Sequence, residues 1–366
     1  MSHFGADEVM SHFGADEVMS HFATDRIKDI KGAVPRNIRI TVALEAADIA
    51  GVPDMQASAI AVFLCLVLSV PAKGLEETAM KELKAYLRFL GVRQACGVSQ
   101  AYRRSENLQG NSRAADIDRV IGGTPVPSQG KYPWMVFMGN GPEAFNCGGS
   151  LINDRYVLTA SHCVASDPSA TYYVTLGNLE LSTPTEGQSI QIPATAIMNP
   201  DYNNPTFVNN DVALLKLETP VDFDAYPNIR PICLSSSAVP NPGEPVTVAG
   251  WGITTEGGGS ISSTLMETTV NVISSETCQT WFGSAINDNF ICAQETGKNI
   301  CQGDSGGPLM YLSQDGYYLN VGINSFVITG CYTQYGGAFT KTANYVDNFI
   351  SDNTQDAQWC SPPSSY

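Results

Sequence analysis

Charge is scarce in this sequence. Asp, Glu, Lys and Arg make up 15% of 366 residues, and the basic side chains are the scarcer, 20 Lys and Arg against 36 Asp and Glu. A formal net charge of -16 argues against nucleic acid as a partner, because binding to phosphates rests on clustered Lys and Arg. Histidine is rarer still, with 4 residues, and His3, His12 and His21 all fall in an N-terminal duplication of MSHFGADEV. That duplication reads as a leader of doubtful status over residues 1–54 and not as a metal-binding tract. No CxxC pair occurs, so the spacing of a sulfur-ligated zinc site is missing. Long apolar runs are also missing. The segment IAVFLCLVLSV at 60–70 is too short to span a bilayer, which takes about 20 apolar residues.

That same segment has the length of a signal-peptide core, with Met55 before it and small residues, Val70 at its end and Ala72 after it, at the spacing of a cleavage site. Residues 55–72 are therefore expected to be a signal peptide, secretion to follow, and membrane association to be absent. An internal, uncleaved anchor is the alternative if translation starts at Met1. Residues 73–119 read as a pro-segment. Within it Leu75, Ala79, Leu83, Leu87 and Leu90 share one face of an amphipathic helix. After Arg119 short apolar runs alternate with Gly, Pro, Asn and Ser, and a helical pattern returns only at Thr342 to Ser351, which predicts an all-β sandwich or barrel. Residues 120–366 hold 6 basic and 21 acidic side chains, and eight of the 10 cysteines. Cysteines at that density suit disulfides formed in an oxidising compartment.

Ser305 lies in the Gly-rich run CQGDSGGPL, whose glycines permit a tight turn and close approach of another backbone. A serine hydroxyl is a poor nucleophile without a neighbouring base, and residues 120–366 contain one histidine, His162, in LTASHC. A base in turn needs a group to orient it. Asp211 leads the apolar run NDVALL, where a carboxylate is costly unless it is paired.

The runs TASHC, NDVALL and GDSGGPL, with CGGSLI at 147–152, AGWG at 249–252 and VIGG at 120–123, resemble the motifs of the chymotrypsin and trypsin family, in that family's His, Asp, Ser order. The one notable departure is Ser161, where alanine is usual. The resemblance implies two six-stranded antiparallel β-barrels with a C-terminal helix, and a serine endopeptidase acting through an acyl-enzyme. His162, Asp211 and Ser305 would be the triad, and the Gly303 and Ser305 N–H groups the oxyanion hole. Ser325 would hydrogen-bond Asp211. A cut after Arg119 by a trypsin-like protease would free an ammonium at Val120 to pair with Asp304. A catalytically dead binding module and a cascade protease are the competing readings.

The resemblance also implies disulfides Cys147–Cys163, Cys278–Cys292 and Cys301–Cys331. For Cys233 it offers Cys96, while parity of the eight downstream cysteines offers Cys360. No cofactor is implied, and no calcium, because the ends of the family's calcium loop fall on Asn178 and Gly187. The base of the primary pocket falls on Asn299 and its walls on Val327 and Gly337, the valine narrowing the gate and the glycine leaving depth. Without a carboxylate at Asn299 an apolar residue before the cut bond is expected. Partners would be protein or peptide substrates, the activating protease and protein protease inhibitors.

Overall fold

The computed structural model describes residues 95–99, 121–181 and 188–363. The leader, signal peptide, most of the pro-segment, Arg119, Val120 and Gly187 lie outside the described residues. Six strands, β2 Met135–Gly139, β3 Cys147–Leu151, β4 Tyr156–Thr159, β5 Thr171–Leu176, β6 Ile190–Met198 and β7 Ala213–Leu217, close in the order β2-β3-β4-β7-β6-β5. The second set, β8 Pro245–Gly250, β9 Met266–Ile273, β10 Phe290–Gln294, β11 Pro308–Leu312, β12 Tyr318–Val327 and β13 Gly337–Lys341, runs β9-β10-β13-β12-β11-β8 and closes through a β9–β8 pairing. A short strand, β1 Thr124–Pro125, adds to the outside of β9. All the strand pairs are antiparallel, and the fold is the expected pair of six-stranded barrels.

The strands form where side chains can alternate between core and surface. In β9, METTVNVI, Met266, Thr268, Val270 and Val272 are buried while Glu267, Thr269, Asn271 and Ile273 are less so. This period of two is what a barrel wall with one wet face requires. In β7 the run Ala213-Leu214-Leu215 is buried throughout, so the residue that leads it enters a dry environment.

One apolar cluster spans both barrels. Trp134 Nε1 lies 3.1 Å from Met310 Sδ, and the Phe137 and Trp251 rings meet edge-on at 5.4 Å. A buried polar chain crosses the same seam, Asn320 Nδ2 donating to Ser150 Oγ at 2.9 Å and Thr342 Oγ1 donating to Asn320 Oδ1 at 2.7 Å. Buried polar groups are costly unless partnered, so these bonds favour one relative setting of the two barrels.

Helical turns run through Thr342–Tyr345, Val346–Ile350 and Ser351–Asn353, passing from 3-10 through π to α geometry and ending slightly beyond the expected stretch. A second helix, α1 Ser275–Phe282, corrects the expectation that helix returns only at the C-terminus. Ser274 caps it by accepting the Thr277 N–H, Glu276 lies in its first turn, and its one buried residue, Cys278, is bonded to Cys292 of β10.

Candidate active site

The antiparallel register of β4 on β7 pairs Thr159 with Ala213, so the chain leaving β4 and the chain entering β7 meet at one end of the first barrel. His162 sits in the 3-10 turn Ser161–Cys163 just past β4, and Asp211 two residues before β7. His162 Nδ1 is 2.7 Å from Asp211 Oδ2, and the His162 backbone N–H donates to Asp211 Oδ1 at 2.8 Å. Asp211 is fully buried, whereas the His162 side chain keeps 27% of its surface, so the imidazole remains within reach of a substrate. Ser325 of β12 donates to Asp211 Oδ2 at 2.5 Å, and Thr340 Oγ1 donates to the Asp211 carbonyl at 3.0 Å. The carboxylate is thus held from both barrels. Burial disfavours the charged imidazole, but the Asp211 hydrogen bond and charge outweigh it and raise the His162 pKa above its ordinary 6.5.

Ser305 arrives from the second barrel. Its loop, between Cys301 and Pro308, is pinned by the Cys301–Cys331 disulfide and anchored by hydrogen bonds from Gly148 N to Ser305 O, 2.8 Å, and from Gly306 N to Asn324 O, 2.9 Å. Gly306 has φ 78°, and a Cβ there would stand 2.2 Å from Thr159 Oγ1 and 3.2 Å from Ala160 N. Only glycine fits so close an approach. The nucleophile candidate is thereby set against the turn that carries His162. Gly303, with φ 99°, occupies a second backbone region open mainly to glycine.

Asp304 is buried, its two oxygens accepting from Gly252 N at 2.8 Å and Cys301 N at 2.9 Å. Burial pushes its pKa up to about 6 against the pull of those two N–H groups.

Cys147–Cys163 ties β3 to the turn holding His162, and Cys96 is bonded to Cys233. Cys360, the competing partner, packs half-buried against the cluster that contains Cys96 and Cys233. Cys147, His162 and Cys163 also cluster as potential metal ligands, but both sulfurs are committed to each other. A cavity of about 480 Å3 lined by Cys96, Ile232, Leu234, Val346, Trp359 and Cys360 contains none of His162, Asp211 and Ser305.

A protein-family model described as Trypsin matches residues 120–349. The chain belongs to the trypsin family. A venom protease of Bombus pensylvanicus is 37% identical over 247 residues, which are 63% of this chain and 98% of that protein. Trypsin II-P29 of Gallus gallus is 34% identical over 235 residues, 64% and 88% of the two chains. The solved structure of neuropsin, a serine protease expressed in the limbic system of mouse brain, superposes with a TM-score of 0.55 at 28% identity, covering 63% of this chain and 97% of its own. This member of the trypsin family is a serine endopeptidase.

In this trypsin-family chain all three positions expected at the primary pocket, Asn299, Val327 and Gly337, are among the described residues. Val327, at the end of β12, pairs with Gly337 at the start of β13, and Asn299, two residues before Cys301, is bridged to Ile121. Asn299 is buried and its amide is committed. Its Nδ2 donates to the Tyr332 and Tyr335 carbonyls at 3.2 and 3.3 Å, and its Oδ1 accepts Ile300 N at 2.9 Å. A Cβ at Gly337 would lie 3.0 Å from both Cγ1 and Cδ1 of Ile300, so the glycine gives that isoleucine room.

Sequence reasoning missed four contributors. Ile300 adjoins Asn299 and was legible as a bulky neighbour. Thr340 and Asn324, the latter donating to the Asp304 carbonyl at 2.7 Å, gave no local signal because their partners are far along the chain. Ser161 was visible only as a departure from the family motif.

Proposed function

We propose that Ser305 is the nucleophile, His162 its general base and acid, and Asp211 the group that orients the imidazole. The observation that carries this reading is the His162 Nδ1–Asp211 Oδ2 contact of 2.7 Å, which leaves Nε2 as the only ring nitrogen for proton transfer. Ser305 Oγ attacks the scissile carbonyl as His162 takes its proton. The same imidazole then protonates the leaving amine, and a water repeats the sequence to release the acyl group. The N–H groups of Gly303 and Ser305 stabilise the developing oxyanion, an interaction stronger in the transition state than in the substrate.

The enzyme is proposed to be secreted, with residues 55–72 as signal peptide and 73–119 as pro-segment. Cleavage after Arg119 by a trypsin-like protease frees the Val120 ammonium, whose partner is the buried Asp304. Support for that pairing is the raised pKa of Asp304, which marks a carboxylate that gains from a nearby cation. The residue before the cut bond is apolar, because Asn299 presents no charge and its Oδ1, the acceptor that a basic side chain would need, already takes the Ile300 N–H. Peptide and protein substrates are the partners at this site, and protein protease inhibitors would compete for it.

The test is labelling of the activated protein by a fluorophosphonate, followed by peptide mapping. Modification of Ser305 alone, lost in Ser305→Ala, is expected. An unlabelled but correctly cleaved and folded protein would instead indicate a binding module.

A further inference from the structure

We propose that Asn324 is a positioning residue for the oxyanion hole, holding the peptide unit between Asp304 and Ser305 so that its N–H is aimed at the reacting carbonyl. This rests on the active-site reading above and adds a residue to it. Asn324 Nδ2 donates to the Asp304 carbonyl at 2.7 Å, and Gly307 N donates to the same oxygen at 3.0 Å. The backbone of Asn324 grips the loop at two further points, accepting from Gly306 N and donating to Gly307 O, each at 2.9 Å. A trans peptide is planar, with its C=O and N–H pointing opposite ways, and the peptide between Asp304 and Ser305 is trans. Two donors fixed on the Asp304 oxygen therefore aim the Ser305 N–H away from Asn324. Among the described residues neither that N–H nor the Gly303 N–H donates to a protein acceptor, so both remain for an oxygen of the substrate.

Placement follows from the strand. Asn324 and Ser325 are consecutive in β12, where side chains alternate between two faces, and the pairing of β12 with β13 shifts register between Asn324 and Phe326. Ser325 reaches the Asp211 carboxylate and Asn324 reaches the Asp304 carbonyl. One stretch of strand thus holds both the group that orients the imidazole and the peptide that carries the nucleophile. A purely structural account of Asn324 meets an obstacle. The residue is 1% exposed, and its Oδ1 is buried with no hydrogen-bond partner among the described residues. An unpaired buried acceptor costs stability, which an apolar residue of similar size would not. The Asp304 carbonyl would still keep the Gly307 N–H, so the fold does not need the amide. Gly307, however, belongs to the loop and moves with it. The amide supplies a restraint anchored outside the loop, on a barrel strand, and an oxyanion donor works by being aimed before the charge develops.

The experiment uses the full-length protein cleaved after Arg119, as wild type, Asn324→Val and Asn324→Ala, two variants that lack the amide and differ in volume. For one peptide that the wild type cleaves, kcat and KM are measured per site titrated to completion with a fluorophosphonate. The inhibition constant of the trifluoromethyl ketone of the same peptide, which forms an oxyanion adduct with a serine, is measured alongside. Loss of an oxyanion donor lowers kcat about a hundred- to a thousandfold, and a donor present but misaimed should lower it about ten- to a hundredfold. Both variants are expected to show that fall with KM little changed, and with the ketone weakened by the same factor as kcat/KM. Asn324→Val should melt at or above the wild-type temperature. An unchanged kcat per site, or a slower kcat beside a ketone bound as tightly as by wild type, would overturn the role. So would a loss confined to Asn324→Ala, which would trace it to packing. If Asn324→Ala yields no titratable sites, Asn324→Val decides, and failure of both to fold would overturn the proposal by showing that the fold needs the amide. A wild type unlabelled at Ser305 would instead overturn the active-site reading, a distinguishable failure.

Discussion

Ser161 Oγ donates to the carbonyl oxygen of Val212 at 2.7 Å, tying the turn that carries His162 to the strand that Asp211 leads. The family's usual alanine at this position could not make that bond. Replacing Ser161 by alanine removes the hydroxyl but also its need for a partner, and leaves the Val212 carbonyl with the Asn199 N–H, at 3.2 Å, as its donor. The expected loss of stability is about 1 kcal/mol, with kcat within a few-fold of wild type. Urea denaturation together with kinetics checks both, and a loss of kcat beyond a hundredfold would mean that Ser161 helps to set the imidazole.

The acid limb of activity should lie above pH 6.5. His162 must be neutral to accept the Ser305 proton, and its pKa is raised because Asp211 outweighs burial, so kcat/KM falls as pH drops through that raised value. The stability linkage has the opposite sense. A histidine raised on folding contributes stability that is complete below its unfolded value and is lost as pH rises through its folded value. A kcat/KM profile of the activated enzyme locates the limb, and a midpoint at or below 6.5 would contradict the pairing.

Ser305→Ala and His162→Ala should each lower turnover by several orders of magnitude, with the double variant scarcely worse than either single one, because the groups act as a unit. Thermal unfolding should stay near wild type, since neither side chain fills the core. Strictly additive losses would indicate separate roles.

Asn299→Asp should not create a preference for arginine. The new carboxylate would face the Tyr332 and Tyr335 carbonyls that now accept from Nδ2, two donors would be lost, and a buried charge would stand against two oxygens. The expected outcome is a drop in melting temperature and a raised carboxyl pKa, read by calorimetry across pH. An Arg amide cleaved better than Leu by this variant would show that the Asn299 side chain reaches the pocket.

Cleavage after Arg119 should change how stability depends on pH. In the uncleaved chain Asp304 binds its proton more tightly folded, at about 6, than unfolded, so stability is full below pH 4 and is lost as pH rises through 6. An ammonium at Val120 would favour the charged carboxylate and reverse that slope. Calorimetry of the precursor and the cleaved protein between pH 4 and 7 compares them, with N-terminal sequencing expected to return VIGG. Identical slopes would remove the proposed pair. Asp304→Asn should be cleaved normally yet stay inactive.

Much of the fold was legible because barrel strands advertise themselves locally. Thr268, Val270 and Val272 alternate with less buried neighbours, and the run after Asp211 is dry enough to demand a paired carboxylate. The three candidate catalytic residues could be picked out because each lies in a short, distinctive run. Helix α1 was hidden by its length, one buried residue and a composition of Thr, Trp and Phe with no apolar stripe. The orientation of Asn299 was hidden for another reason. Its amide is directed by carbonyls 33 and 36 residues downstream, which no local pattern reports. The partner of Cys233 was a choice of two, because parity counts sulfurs and does not locate them, whereas Cys96 N bonded to Ser361 O at 3.0 Å and Gly97 N to Pro231 O at 2.9 Å place the Cys96 segment beside Cys233.

The Cys96–Cys233 bridge joins residues 137 positions apart, one on each side of Arg119. A cut at that arginine would therefore give a two-chain molecule whose light chain stays attached, separable on a gel only after reduction. Whatever the leading segment recognises, the working enzyme would carry with it, and activation would act as a change of register at one chain end with nothing shed. Diffusion of the active species would then be governed by the binding habits of its own pro-segment, and opening of this one bridge would release the enzyme from it.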